Sequence, residues 1–187
     1  RYPGARCDIP SLQYSYQFSP DLEQEWEWQE RYAAQPEIMA YAEHVVKRFE
    51  LAADIQFNTR VSAAHFDEAQ HLWNVSTETS EVISARFCVM ATGCLSSAND
   101  PEFAGRENFT GNWYHTGRWP HEGVDFTGQR VAVIGTGSSA IQSIPLIAEQ
   151  AAELTVFQRT ANFSVPARNR PQNLQEQAAV KKDYRAF

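Results

Sequence analysis

The six residues GTGSSA at Gly135–Ala140 have the composition and spacing of a turn that holds phosphate groups. In the pattern G-x-G-x-x-G/A, the first glycine permits a tight turn and the second lets the backbone approach a diphosphate. The small third residue, here Ala140, lets the following helix pack closely on the preceding strand. Free N–H groups at the start of such a helix stabilise negative charge. The pattern therefore predicts a dinucleotide site.

The residues on either side of this turn supply the strand, helix and second strand that the pattern requires. The apolar run RVAVIG precedes the turn, and a helical stretch follows that contains Pro145, which we expect to bend it. The run ELTVFQRT then closes a βαβ unit that begins at Gln129. A plain strand–turn–helix, with glycines present only for packing, is the alternative.

The end of the second strand discriminates between two cofactors. A site for NAD usually has Asp or Glu about 20 residues beyond the glycines, where it binds the ribose 2′-hydroxyl. This chain has Gln158, Arg159 and Thr160 there. A guanidinium pairs with a 2′-phosphate through two parallel hydrogen bonds, and a threonine hydroxyl adds a donor. We therefore predict NADPH rather than NADH, with a solvated surface arginine as the alternative.

The segment at the start of the chain contains one irregular region and one regular helix. Residues 1–35 are rich in aromatic side chains and proline, which predicts an irregular packed segment with one short helix at Leu22–Tyr32. The run PEIMAYAEHVVKRFEL starts with Pro36 and has apolar residues at helical spacing, so it predicts an amphipathic helix.

Three runs in the middle of the chain predict β-strands: Arg60–Phe66, His71–Glu78 and Val82–Ala91. The third is continuously apolar from Phe87 to Ala91, which predicts a strand entering a buried sheet. At the other end of the chain, Asn173–Phe187 is polar and prone to form a helix. We expect nothing in this chain to pack against that tail.

Composition excludes several classes of protein. Apolar residues make up 43% of the 187 residues and charged residues 21%, and the net charge is −7, which argues against nucleic-acid and anionic-membrane partners. No apolar run approaches the roughly 20 residues of a membrane span. The three cysteines lack metal-ligand spacing, so we expect no metal site, no disulfide framework and a cytoplasmic location. Because the chain starts at Arg1, already inside a patterned segment, we expect it to be part of a longer protein.

A second motif lies just before the βαβ unit. Its residues Phe109, Gly111, His115, Trp119 and Pro120 spell F-x-G-x-x-x-H-x-x-x-W-P. A histidine between aromatic residues usually only packs, but this run resembles the complete fingerprint of type I Baeyer–Villiger monooxygenases. These enzymes use FAD and NADPH to insert one oxygen atom next to a ketone carbonyl. Related monooxygenases that oxygenate nitrogen or sulfur generally lack the tryptophan.

The resemblance extends over nearly the whole chain, through RYPGARCDIPS, QPEI, VMATG and VFQRTANFSVPARN, and is closest to the phenylacetone and cyclohexanone monooxygenase group. It implies an α/β, two-dinucleotide-binding-domain flavoprotein fold: a Rossmann-like NADP-binding βαβ unit plus part of an FAD-binding domain with a small antiparallel β-meander. The implied domains are a partial FAD-binding domain at 1–94, a linker with the fingerprint at 95–128 and a partial NADP-binding domain at 129–187.

The resemblance also implies site residues. For FAD they are Asp8, Tyr14 and, through its backbone, Val61. For NADP they are Arg6, Cys7, Asp8, Gly135, Thr136, Gly137, Ser138, Ser139, Ala140, Ile141, Gln142, Arg159 and Thr160. Asp8 would also orient an active-site arginine outside this chain, although a carboxylate capping a turn is the alternative. His115 and Trp119 would order the linker, with flexibility from Gly111 and Gly117, rather than take part in catalysis.

The implied partners are a small ketone and O₂, with no nucleic acid and no membrane. We expect this chain to be inactive by itself, because we find neither a first FAD fingerprint nor the segment with the active-site arginine. Two other hypotheses stay open: a monooxygenase that oxygenates nitrogen or sulfur, and a non-catalytic NADP-binding module.

Overall fold

The computed structural model describes residues 2–187, so the segment RYPGARCDIPS is described from Tyr2 onward. The chain forms two compact units. One comprises the residues up to Val45 together with Ala98–Phe187, and the other is Val46–Ser97. None of the helices in residues 2–187 is long and apolar enough to cross a membrane. The predicted boundaries of the cofactor domains, at 94 and 128, stay a prediction.

The unit Val46–Ser97 contains the predicted antiparallel meander. Its strands are β1 (Val61–Asp67), β2 (Leu72–Thr77) and β3 (Val82–Ala85), in the sheet order β1-β2-β3. Phe66 pairs with Trp73 across the first two strands, and their ring centroids lie 5.4 Å apart. Such cross-strand aromatic pairs stabilise a sheet in one register.

The prediction that the third strand runs on to Ala91 is wrong. The strand ends at Ala85, and the apolar side chains of the next stretch are exposed, with Phe87 at 82% and Val89 at 87%. A buried strand needs neighbours that pair with its backbone and cover its faces. No strand among residues 2–187 pairs with 86–91, so the apolar run forms no ladder.

Helix α1 (Pro20–Glu25) is shorter than the predicted helix Leu22–Tyr32. It begins where the Ser19 hydroxyl accepts the Leu22 N–H, which satisfies one free donor of the first turn. It ends at Glu25 because the backbone is extended at Trp26. The prediction of one short helix in this segment is therefore confirmed, but its bounds are wrong.

The extended stretch after α1 buries its second tryptophan. Trp28 is 1% exposed, and its ring centroid lies 5.0 Å from that of Tyr41 on helix α2 (Gln35–Arg48). Its indole N–H donates to the Ser15 hydroxyl at 2.9 Å, so the polar atom of the buried ring is satisfied. Trp28 is thus a buried residue in the extended stretch beyond the end of α1. The amphipathic helix α2 is confirmed.

The predicted βαβ unit is also confirmed. Strands β4 (Arg130–Ile134) and β5 (Glu153–Phe157) are parallel, and helix α3 (Ser138–Ala148) connects them. Helix α3 continues through Pro145, whose missing N–H leaves the carbonyl of Ile141 without its usual donor. A small core formed by Trp119, Phe126 and Ile147 includes side chains of both the fingerprint and α3.

The C-terminal tail has a packing partner in this chain, contrary to the prediction. Helix α4 (Leu174–Lys182) places Gln177, which is 3% exposed, where its side-chain oxygen accepts the Trp28 N–H at 3.0 Å. Beyond the helix, the buried Tyr184 hydroxyl donates to Ser15 at 3.3 Å. This contact is made by polar side chains that bond a backbone N–H and a hydroxyl, and the polar composition of the tail does not reveal such bonds.

Candidate functional site

The glycine turn follows directly from the end of β4. Gly135 has a φ of +100°, a conformation that residues other than glycine adopt only under strain. Its N–H donates to the Phe157 carbonyl at 2.8 Å, which ties the turn to the end of β5. The structure therefore supports the steric reason for a glycine at this position.

The start of α3 is open toward this turn. Gly137 is the N-cap residue, and because it has no side chain, it cannot satisfy the free N–H groups of the first helical turn. A Cβ atom built on Gly135 or Gly137 would meet no atom within 4 Å. Uncapped donors beside open space fit a diphosphate group.

The loop after β5 is joined to the glycine turn by hydrogen bonds. The Thr136 hydroxyl accepts from the side-chain amides of Gln158 at 2.7 Å and Asn162 at 3.1 Å. Arg159 and Thr160 lie between these two residues and are exposed. Within residues 2–187 the Arg159 guanidinium forms no ion pair with a carboxylate. An arginine held beside the turn is thus open to an anion.

The N-terminal segment around Arg6 contacts both α3 and the region before α2. The Arg6 guanidinium pairs with Glu30 at 3.0 Å and donates to the Tyr32 carbonyl at 3.2 Å. Its backbone bonds the side-chain amide of Gln142 on α3. This contact brings the predicted residues Arg6 and Gln142 together. The Gln142 amide forms its hydrogen bonds with other residues of this chain.

The next two predicted residues differ in exposure. Cys7 is 4% exposed, and burial raises the pKa of its thiol, which disfavours the thiolate; its contact with NADP stays a prediction. Asp8 is exposed. Partial burial raises the pKa of the Tyr14 phenol, and the charge of Asp8 raises it further, which marks the two as neighbours. Val61 begins β1 in the other unit, and its contact with FAD stays a prediction.

The fingerprint is anchored by its tryptophan. Trp119 is 7% exposed and packs with Phe126 and Ile147, and the Tyr114 ring centroid lies 5.7 Å from that of Trp119. The His115 ring, through Nδ1, accepts the Gly117 N–H at 3.0 Å and so caps the short 3-10 helix Thr116–Arg118. The fingerprint therefore orders its own turn and packs against the βαβ unit.

Gly111 and Gly117 lie close to side chains of the same region. A Cβ atom on Gly111 would lie 2.7 Å from the Phe109 ring, and one on Gly117 would lie 3.1 Å from both the Ala98 Cβ and the His115 ring. The Phe109 ring is 62% exposed and can move aside, and a Cβ atom on Gly117 would need shifts of only a few tenths of an ångström. The predicted flexibility of both glycines stays a prediction.

Comparison with known proteins identifies the family. A family model described as pyridine nucleotide-disulphide oxidoreductase matches residues 8–182. The chain belongs to this oxidoreductase family. The predicted α/β fold class, with a Rossmann-like βαβ unit and a small antiparallel meander, is confirmed.

The resemblance to Baeyer–Villiger monooxygenases is also confirmed. This oxidoreductase chain is 43% identical over 98% of its length to a Baeyer–Villiger monooxygenase of Pseudooceanicola batsensis, of which it covers 34%. It is 43% identical over 91% of its length to a phenazine N-monooxygenase of Lysobacter antibioticus, of which it covers 31%. A solved steroid monooxygenase bound to NADP is 60% identical with a TM-score of 0.92, over 98% of this chain and 35% of that one. The chain thus spans about a third of the length of the proteins it matches.

In this oxidoreductase chain, a charged cluster that the sequence did not predict holds the linker before the fingerprint. The Asp100 carboxylate pairs with Arg118 at 2.8 Å and with Arg106 at 3.0 Å. Arg106 also lies over the Trp113 ring, 4.7 Å from its centroid. The hydrogen bond from Arg118, together with the charge of Arg106, holds the pKa of Asp100 below its usual value.

Replacing Asp100 by Asn in the full-length protein is expected to loosen residues 100–118 at neutral pH, because both ion pairs lose their acceptor charge. Since the folded-state pKa is lowered, the pairs are fully present above the ordinary carboxyl range and are lost as pH falls through the lowered value. Hydrogen exchange of residues 100–118, corrected for intrinsic rates, should therefore rise in the wild type only when the pH falls below the ordinary range for a carboxyl group. Glu107→Gln, in the same loop, is the control, and equal exchange in the two variants would contradict the prediction.

The sequence analysis missed two sets of contacts: the ion pairs of Asp100 and the bonds between Gln142 and Arg6. Asp100, Arg106 and Arg118 offer opposite charges in one short linker, but nothing in the sequence specifies that they meet. Gln142 lies two residues beyond the glycine pattern, yet its partner Arg6 lies near the other end of the chain. Contacts between such distant positions are set by the fold, so no local pattern reveals them.

Proposed function

We propose that the protein containing this chain is an FAD- and NADPH-dependent monooxygenase that inserts an oxygen atom next to a ketone carbonyl. The single observation that carries the proposal is the complete fingerprint with Trp119 packed against a βαβ unit whose glycine turn is open. When bound, the two cofactors would supply the reducing equivalents and the activation of O₂. The residues of this chain bind and orient them.

The βαβ unit holds both the diphosphate of NADPH and the 2′-phosphate that distinguishes NADPH from NADH. The loop at 136–142, which follows Gly135, binds the diphosphate through backbone N–H groups, which are uncapped at the start of α3. Arg159 with Thr160 binds the 2′-phosphate. Both residues are exposed beside the turn, which supports this assignment.

The residues outside the βαβ unit contact FAD and the nicotinamide. The segment Arg6–Asp8 borders the nicotinamide, and Asp8 with Tyr14 and Val61 contacts FAD. Asp8 is exposed and therefore available to orient an arginine outside this chain. The three free thiols fit a reducing compartment, and we propose a cytoplasmic location.

The test is oxygenation by the full-length protein supplied with NADPH, O₂ and either cyclohexanone or phenylacetone. Formation of the lactone or ester, with one NADPH consumed per product, is the expected result. Oxidation of NADPH that yields only peroxide with every ketone tried would contradict the proposal.

Oxygenation of nitrogen is the second candidate, because a phenazine N-monooxygenase is as similar in identity as a Baeyer–Villiger monooxygenase. A panel of amines, aromatic nitrogen heterocycles and sulfides on the same full-length protein distinguishes the two. Products from this panel alone would favour the second candidate.

A further inference from the structure

The Gln142 side chain of α3 bonds the N-terminal segment through both atoms of its amide. Its Oε1 accepts from the Tyr2 hydroxyl at 2.8 Å and from the Arg6 N–H at 3.3 Å. Its Nε2 donates to the Arg6 carbonyl at 3.1 Å. The amide orientation is fixed, because a reversed amide would place a donor against the Arg6 N–H and an acceptor against the Arg6 carbonyl.

The backbone approaches α3 closely at the same place. Gly4 has a φ of +75°, and a Cβ atom on it would lie 2.2 Å from the Gln142 carbonyl oxygen. No residue other than glycine fits there. On its other side the segment pairs with the chain before α2, through Cys7 N–H to Ala33 O at 3.0 Å and Gln35 N–H to Ala5 O at 2.8 Å. Residues 4–7 are thus held from two sides.

We propose that Gln142 is a positioning residue that fixes the distance between the two ends of the bound dinucleotide. The proposal rests on the proposed function, in which the turn at the start of α3 binds the diphosphate and Arg6–Asp8 borders the nicotinamide. Gln142 lies in the first turns of the helix that begins at the diphosphate, and it holds the backbone of Arg6. Its positioning role acts through the backbone of Arg6, and its own contact with NADP stays a prediction.

The experiment compares Gln142→Leu with wild type in the flavin-loaded full-length protein. Three quantities are measured: hydrogen exchange of residues 2–8 without nucleotide, the dissociation constant of NADP, and the rate of flavin reduction at saturating NADPH. We expect faster exchange, a nearly unchanged dissociation constant and a reduction rate about tenfold lower, since misplaced reactants lose rate more than affinity. Gln142→Glu keeps the two acceptor bonds but loses the donor to the Arg6 carbonyl, so it should also raise the exchange of residues 2–8.

The matched control is Gln150→Leu, because the Gln150 side chain also bonds a backbone N–H, that of Phe126 at 3.1 Å, but forms no hydrogen bond with residues 2–8. It should leave the exchange of residues 2–8 and the reduction rate unchanged. An equal loss in both variants, or a weaker affinity for NADP with unchanged exchange and saturated rate, would overturn the proposal.

The failure of this proposal can be distinguished from the failure of the proposed function. The rate of flavin reduction does not depend on the substrate that is oxygenated. If the protein reduces its flavin but converts no ketone, the proposed reaction is refuted. The comparison of the Gln142 variants still decides the positioning role in that case. If no nucleotide binds, the positioning role of Gln142 fails.

Discussion

Replacing Arg159 by Ala in the full-length protein is expected to weaken NADPH binding roughly 10- to 100-fold while leaving NADH binding almost unchanged. The guanidinium is exposed beside the glycine turn and forms no ion pair within residues 2–187. It is therefore free to bind the 2′-phosphate, which NADH lacks. Dissociation constants for the two nucleotides, measured by titration at fixed salt, provide the check.

The control for this prediction is Arg130→Ala. Arg130 is an exposed arginine of the same βαβ unit, but it begins β4, at the opposite end of the strand from the turn. Its replacement should leave both affinities unchanged. Equal weakening of NADPH and NADH by Arg159→Ala would show that the residue does not select the 2′-phosphate.

Replacing Trp119 by Ala is expected to lower the free energy of unfolding by about 3–5 kcal/mol. The indole is 7% exposed and packs with Phe126 and Ile147, so its removal leaves a cavity in a small core. Loss of the indole would also remove the contact between the fingerprint and Ile147 of the βαβ unit. Urea denaturation of the full-length protein, followed by fluorescence and circular dichroism, measures the change.

Trp113→Ala is the matched control, because Trp113 is 52% exposed and contacts Arg106 through a cation–π interaction. Its replacement should cost about 1 kcal/mol or less. If both variants unfold at the same urea concentration, Trp119 does not anchor the fingerprint in the core.

Local patterns predicted the elements that depend on neighbouring residues. The glycine spacing predicted the turn between β4 and α3, and the short apolar runs predicted the parallel strands on either side. The run His71–Glu78 predicted a strand that the structure places, as β2, at the centre of the meander. The apolar run at 87–91 led to the wrong prediction of a buried strand. Continuous apolar character shows only that a strand would be suited to burial, whereas the strands that must pair with it lie elsewhere in the sequence.

The sequence by itself determined the βαβ unit, the glycine turn and the fingerprint, since each depends on residues a few positions apart. Only the tertiary structure decided that Gln142 holds Arg6, that Trp119 packs with Ile147 and that α4 bonds the backbone of Trp28. These contacts join residues far apart in the chain. They form only when the whole fold closes, so they leave no repeating pattern in the sequence.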